Sequence, residues 1–267
     1  MLIKRWITAL VLIVFLFLIV LKGSQLLFTL FMAAAAALCL LEYFSIVSVS
    51  DQIPLKIKIS AQITSLALVA GAHYGYPDLL LVLLACNTLF LSVLVLADFS
   101  GDKCTIDASA RQVQALVYIP LVLALLVLLR NSENGALFVL WLWIIIGVSD
   151  TGAFYVGRNF GRHFLAPRVS PKKTVEGALG GLGAAVVSGV IFSLLFLPDI
   201  SFFTAAVFAL TAAAAGQTGD LFESAMKRSC SIKDSGKILP GHGGLLDRLD
   251  GLLFAVPIAY GFKVFIL

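Results

Sequence analysis

Apolar segments of roughly membrane-crossing length recur along this chain, near residues 6–21, 25–47, 57–72, 78–97, 113–129, 135–149, 177–197, 202–225 and 250–266. This recurrence constrains the fold more than any other feature. A hydrocarbon core about 30 Å thick takes about 20 residues of helix per crossing, and lipid offers the backbone no hydrogen-bond partners, so each segment must satisfy its own. The pattern therefore predicts an all-α fold, a polytopic integral membrane helix bundle of about nine transmembrane helices. Composition agrees, with 60% hydrophobic and 13% charged residues, against about a quarter charged in ordinary soluble chains.

Charge placement orients the bundle. With a cytoplasmic N-terminus, the inner segments hold Lys4, Arg5, Lys56, Lys58, Lys103, Arg111, Arg158, Arg162, Arg168, Lys172, Lys173, Lys227, Arg228, Lys233, Lys237 and Arg248. Outer loops keep Lys22 and Arg130, and Lys263 falls in the last span. The positive-inside rule then predicts N-in, C-out and an odd number of spans. Lys4 and Arg5 before an apolar run resemble a signal peptide, but no A-x-A-like cleavage site precedes the next apolar run and the span is long, so an uncleaved first helix is expected. Cys39, Cys86, Cys104 and Cys230 lack metal-type spacing, and neither disulfide nor zinc is expected. No nucleic-acid partner is expected either.

Residues 1–112 carry little polar chemistry and read as a transmembrane region facing lipid or a partner subunit. Glu42 is the exception: an intramembrane carboxylate marks a functional position, unless it sits near a helix end in water. His73 and Asp78 read as loop residues, and 98–112 shows no motif.

Residues 113–267 read as a catalytic region with cytoplasmic loops at 150–176 and 226–249. Asp150 stands at the inner end of the sixth segment, followed by Gly152, Gly157 and Gly161. Arg158, Arg162 and His163 would share one side of a helix. Ser170-Pro171 reads as an N-cap and first helical residue, which starts the seventh span there and places Lys172 and Lys173 on its first turn, against the helix dipole. A bound anion would relieve that conflict, and Glu176 is placed to steady one lysine.

The stretch from Asp220 to Asp250 is denser still. Asp220, Glu223, Ser224 and Lys227 share a helix face at i, i+3, i+4 and i+7. Carboxylates at the end of a span suit a hard divalent cation or, alternatively, a hydrated helix end with internal ion pairs. Lys233, Asp234 and Lys237 precede Pro240-Gly241-His242-Gly243-Gly244, a glycine-rich run entering the last helix, whose N–H groups can meet an anion although no Walker motif is present. Asp247 and Asp250 follow with Arg248 between them, and N-terminal dipole stabilisation is their alternative role. His242 reads as a turn residue or phosphate contact rather than a proton donor. Asp220 and Asp247 can converge, and with a glycine loop and several cations they describe a metal-assisted site for a polyphosphate.

The run Ser224-x-Met226-Lys227-Arg228, Lys233-Asp234-x-Gly236 and Pro240-x-His242-Gly243-Gly244-Leu245-x-Asp247-Arg248-Leu249-Asp250 resembles the signature of the phosphatidate cytidylyltransferases, or CDP-diacylglycerol synthases. Asp150-Thr151-Gly152-Ala153, Gly157-Arg158, Gly161 and Ser170-Pro171-Lys172-Lys173-Thr174-x-Glu176-Gly177 are similar to a second block of that family. Phe154 and Val175 stand where many relatives carry tyrosine and tryptophan. The resemblance implies an enzyme joining CTP and phosphatidate into CDP-diacylglycerol and pyrophosphate, with Mg²⁺ required, a possible second metal ion, and a homodimer. It implies Asp220, Lys227, Asp247 and Asp250 as catalytic residues, with Asp220 and Asp247 holding metal. Lys172, Lys173, Arg228, Lys233, His242, Gly243, Gly244 and Arg248 would meet phosphates. Asp150, Glu223, Ser224 and Asp234 would orient these groups, Asp150, Asp234 or Asp250 holding any second ion. An anion transporter is the rival from another class, but its polar groups would spread through the membrane interior. A CDP-alcohol phosphotransferase would need a D-G-x-x-A-R opening, which is absent.

Overall fold

The computed structural model describes residues 17–48, 53–97, 104–232, 235–236 and 243–267. The expected first span lies mostly outside them, as do the side chains of Lys233, Asp234 and His242. The described chain is helical throughout, apart from one small hairpin. Its elements are α1 (Gln25–Val47), α2 (Leu55–His73), α3 (Pro77–Ala97), α4 (Cys104–Tyr118), α5 (Pro120–Asn131), α6 (Gly135–Phe160), β1 (Phe164–Ala166), β2 (Ser170–Thr174), α7 (Val175–Phe196), α8 (Phe202–Ser229) and α9 (Leu246–Phe265). Among the described residues, seven helices are long and apolar enough to cross a membrane, α4 and α5 counting as one continuous rod, Ile106–Asn131. Pro120 interrupts that rod at Ile119 without severing it, because Ile119 N–H still reaches Ala115 O at 2.9 Å and Leu123 N–H reaches Ile119 O at 3.0 Å. The second half of the expected 98–112 loop is thus helix. The last helix, α9, is not among the seven, since Asp247, Arg248, Asp250 and Lys263 interrupt its apolar character.

Two compact units result. The first comprises Met1–Asn131 and Cys230–Leu246, the second Ser132–Ser229 and Asp247–Leu267. In the first unit, α1 starts at Ser24, whose side chain accepts from Leu27 N–H at 3.2 Å. On α3 only Leu80, Asn87 and Leu91 are buried, a single stripe at i, i+7 and i+11, while Leu81, Leu89, Val93 and Leu96 stand exposed. An outward face this apolar suits contact with lipid. Buried polar groups find one another: Gln112 Nε2 donates to Ser60 Oγ at 2.9 Å and Tyr43 OH to Gln114 Oε1 at 2.9 Å. His73 is not a loop residue, for it ends α2 and its Nδ1 lies 3.0 Å from Thr29 Oγ1.

The second unit is an up-and-down arrangement of α6, α7, α8 and α9, drawn together by small residues. Gly177, Gly181, Ala185 and Gly189 recur every fourth position of α7 and are all buried. A Cβ at Gly181 would sit 2.6 Å from Ser149 O of α6 and 2.8 Å from Gln217 Nε2 of α8, so backbones approach where no side chain intervenes. At the far end, Trp141 of α6 donates its indole N–H to Gly189 O at 2.8 Å and packs on Phe208 of α8. Lys263 of α9 lies 4.7 Å from the centre of the Phe138 ring at this same end. The C-terminal ends of α6 and α8 and the N-terminal ends of α7 and α9 therefore share the other end.

Candidate active site

That other end collects the charged residues. At 28 residues, α8 is about 42 Å long at 1.5 Å per residue, longer than a hydrocarbon core of about 30 Å. The overshoot gives Asp220, Glu223 and Lys227 a place beyond the apolar layer. Ser224 Oγ donates to Asp220 Oδ1 at 3.4 Å one turn away, as the shared face predicts. Lys227 Nζ donates to Glu223 Oε2 at 2.9 Å and to Asp247 Oδ1 at 2.5 Å. One cation thus ties α8 to the start of α9. Close backbone approach fixes the same crossing, since a Cβ on Gly219 would run into the carbonyl of Asp250.

The hairpin supplies the second cation, and here the sequence expectation needs correction. Ser170 does not cap a helix: Ser170–Thr174 is strand β2, paired antiparallel with β1. Helix α7 begins at Val175 with Thr174 as its cap, accepting from Gly177 N–H at 3.1 Å. Lys172 and Lys173 therefore stand on opposite sides of a strand rather than together on a first helical turn. Lys173 forms an ion pair with Asp220, and Lys172 is exposed. Glu176 steadies neither lysine; it accepts from the backbone N–H groups of Arg162 and His163 at 3.0 and 3.2 Å and lies 2.6 Å from His163 Nδ1. It fastens the entry of the hairpin to the first turn of α7. Arg162 and His163 fall beyond α6, which ends at Phe160, so they do not continue the helical face of Arg158.

Asp150 lies within α6, ten residues before its end, and the charge of Asp220 acts on both Asp150 and Asp250. Glu223 is 1% exposed, feels the charge of Asp250, and its Oε1 has no hydrogen-bond partner. Asp150, Asp220, Glu223 and Asp250 form a chain of interacting carboxylates, with Lys173 and Lys227 as countercharges. Hard oxygen donors and an orphaned buried carboxylate oxygen fit a divalent cation in chemical type. Among the described residues no three such side chains stand close enough to encircle one, and Asp220 and Asp247 each hold a lysine. Arg228 and Arg248 are exposed at the ends of their helices. Gln217 of α8 joins three helices by donating to Ser149 Oγ of α6 and Ala178 O of α7, both at 3.1 Å.

In the first unit the glycine segment ends at an anion already present. Glu42, 3% exposed, accepts from Leu245 N–H at 3.0 Å, Leu246 N–H at 2.8 Å and Ser235 Oγ at 3.2 Å. It is neither hydrated nor at a helix end in water. Gly243 takes a left-handed φ of 83° and Gly244 is buried, which explains a glycine pair before this helix.

Helices of membrane-crossing length with a lysine-bridged acidic cluster at one end define a multi-pass membrane protein with a built polar site. The chain belongs to the cytidylyltransferase family, whose model matches residues 3–266. It is similar to phosphatidate cytidylyltransferases of Bacillus subtilis (41% identity over 147 residues, 55% of each chain) and Thermotoga maritima (42% over 154 residues, 55% of this chain and 56% of the relative). The corresponding protein of Staphylococcus saprophyticus is 34% identical over 176 residues, 66% of each. The chain thus spans between about half and two thirds of the length of these curated relatives.

Proposed function

We propose that this protein transfers the cytidylyl group of CTP to phosphatidate, forming CDP-diacylglycerol and pyrophosphate. The observation that carries the reading is the pairing of Asp220 with Lys173 and of Asp247 with Lys227 at one end of a helical membrane bundle. A phosphate oxygen of the lipid attacks the α-phosphorus of CTP, that bond forms as the one to the bridging oxygen of the β-phosphate breaks, and pyrophosphate leaves. The nucleophile is already ionised at neutral pH, so no strong base is needed; positioning and charge neutralisation carry the reaction.

Asp220 and Asp247 would hold Mg²⁺, which when bound offsets negative charge on the triphosphate. Lys173 and Lys227, which pair with these two carboxylates, would also meet phosphate oxygens. Lys172, Arg228, Lys233, His242, Gly243, Gly244 and Arg248 complete the phosphate contacts in this reading, and Asp150, Glu223, Ser224, Asp234 and Asp250 orient them or hold a second ion. Nine spans with the N-terminus inside would set this end at the cytoplasm, where CTP is dissolved, while acyl chains enter from the bilayer; a homodimer belongs to the same reading. The test supplies purified protein with radiolabelled CTP, phosphatidate and Mg²⁺. Labelled lipid is expected, and its absence where a working synthase forms it would refute the assignment.

A further inference from the structure

The connection between α6 and α7 carries charge that the proposed chemistry uses only at Lys172 and Lys173. From Thr151 to Val175 the chain has five lysines and arginines and no aspartate or glutamate. Lys173 is taken by Asp220. Arg158, Arg162, Arg168 and Lys172 are exposed, and among the described residues none of their side chains pairs with a carboxylate. Large apolar side chains are interleaved with them: Phe160 is 69% exposed, Phe164 is 64% exposed, and Leu165 is exposed beside them. Water solvates the cations well and the rings badly, so this mixture on one short segment calls for a medium that suits both.

Position says which medium. Helices α6 and α7 are both long and apolar enough to cross a membrane, so the short connection 161–174 lies where they leave the hydrocarbon. At that boundary aromatic rings enter the acyl layer, while the stems of arginine and lysine reach lipid phosphates. The backbone is held in place there. Glu176 accepts from the N–H groups of Arg162 and His163, Val175 N–H reaches His163 O at 2.9 Å, and Val169 N–H closes the turn on Ala166 O at 3.0 Å. A Cβ on Gly161 would sit 2.8 Å from the Thr174 side chain, so the root of the hairpin is closely packed as well.

We infer that residues 158–172 are a docking surface for anionic phospholipid headgroups of the bilayer. Phe160 and Phe164 enter the acyl boundary, and Arg158, Arg162 and Arg168 meet lipid phosphates. Charge selects this occupant: cations with no carboxylate among them repel a second copy of the same hairpin and suit a surface of negative phosphates. Strand β2 also brings Lys173 to Asp220, so a lipid surface that seats the hairpin steadies one side of the acidic cluster. The inference does not depend on the transferase reading.

The experiment places the full chain in nanodiscs of phosphatidylcholine alone, or of phosphatidylcholine mixed with phosphatidylglycerol, and follows amide hydrogen exchange without substrate. Phosphatidylglycerol adds negative charge without being the lipid of the proposed reaction. In the wild type, exchange in peptides covering 158–172 should slow about fivefold or more when phosphatidylglycerol is present, the factor that one basic side chain near an anionic surface supplies. High salt should remove most of that difference. Arg162→Gln combined with Arg168→Gln should lose most of it at low salt, and Phe160→Ser combined with Phe164→Ser should exchange faster in both discs. Equal exchange of the wild type in the two discs would overturn the inference, and that comparison needs no variant to fold. Unchanged exchange in the phenylalanine variant would overturn insertion of the rings. Inorganic phosphate that slows exchange equally in phosphatidylcholine discs would assign the surface to a soluble anion, and protection seen only with two copies per disc would assign it to a second copy; either result overturns lipid docking.

Discussion

Replacing Lys227 with methionine keeps the aliphatic stem and deletes one charge, and the cost can be worked from its surroundings. Lys227 is 13% exposed in its side chain and serves Glu223, 1% exposed, and Asp247, 11% exposed. Removing one partner of a buried ion pair costs about 3–5 kcal/mol, because the remaining charge has neither water nor a countercharge. Two carboxylates lose their shared countercharge here, which argues for the upper part of that range, and one can take up a proton, which argues against exceeding it. We expect a loss of about 4 kcal/mol. For a chain of this size each kcal/mol lowers Tm by about 2–4 °C, so Lys227→Met should melt about 8–16 °C below the wild type. Intrinsic fluorescence follows the transition in detergent, with Trp141 fully buried as a reporter. Adding Glu223→Gln to Lys227→Met removes one of the two charges that Lys227 served and should restore part of the loss. A single variant that melts within about 2 °C of the wild type, or a double variant less stable than the single one, would refute the account of Lys227 as the shared countercharge. This readout needs no activity, so it separates the role of Lys227 in stability from its proposed role at phosphate.

Asp220→Asn and Asp247→Asn should each lower kcat at least about 10²-fold if both hold the metal, the usual scale for losing one electrostatic stabiliser of the transition state; steady-state assays with labelled CTP measure this, and near-normal turnover in either variant removes that residue from the metal site. For orientation, a cysteine placed at Lys237 in a cysteine-free background should react with an impermeant maleimide from the cytoplasmic side only. Labelling from outside would overturn the N-in arrangement.

The helices were legible wherever the signal was local. Residues 25–47 and 78–97 were read almost to the residue, since hydropathy over about 20 positions decides membrane crossing and needs no partner. The face of Asp220, Glu223, Ser224 and Lys227 was equally legible, because helical periodicity alone brings Ser224 to Asp220 and Lys227 to Glu223. Errors fell where two local signals competed. Ser170-Pro171 and Thr174 are both cap-like; pairing with Phe164–Ala166 drew 170–174 into a strand and left Thr174 as the cap. The end of α6 was set too early because Asp150 and the glycines after it interrupt the apolar run, yet those glycines are where α7 packs against α6. The four-residue spacing of Gly177, Gly181, Ala185 and Gly189 was a readable signal of that packing.

Sequence alone thus determined the class of fold, the location of most spans and the charged face at the end of α8, since each depends on residues within a few turns of one another. Only the tertiary structure decided which charges neutralise one another. Asp220 takes Lys173 from a hairpin, Asp247 takes Lys227 from the preceding helix, and Glu42 meets backbone N–H groups some two hundred residues further along. Ion pairs and buried acceptors are settled by distance and desolvation in space, and neither quantity is written into the spacing of residues along a chain.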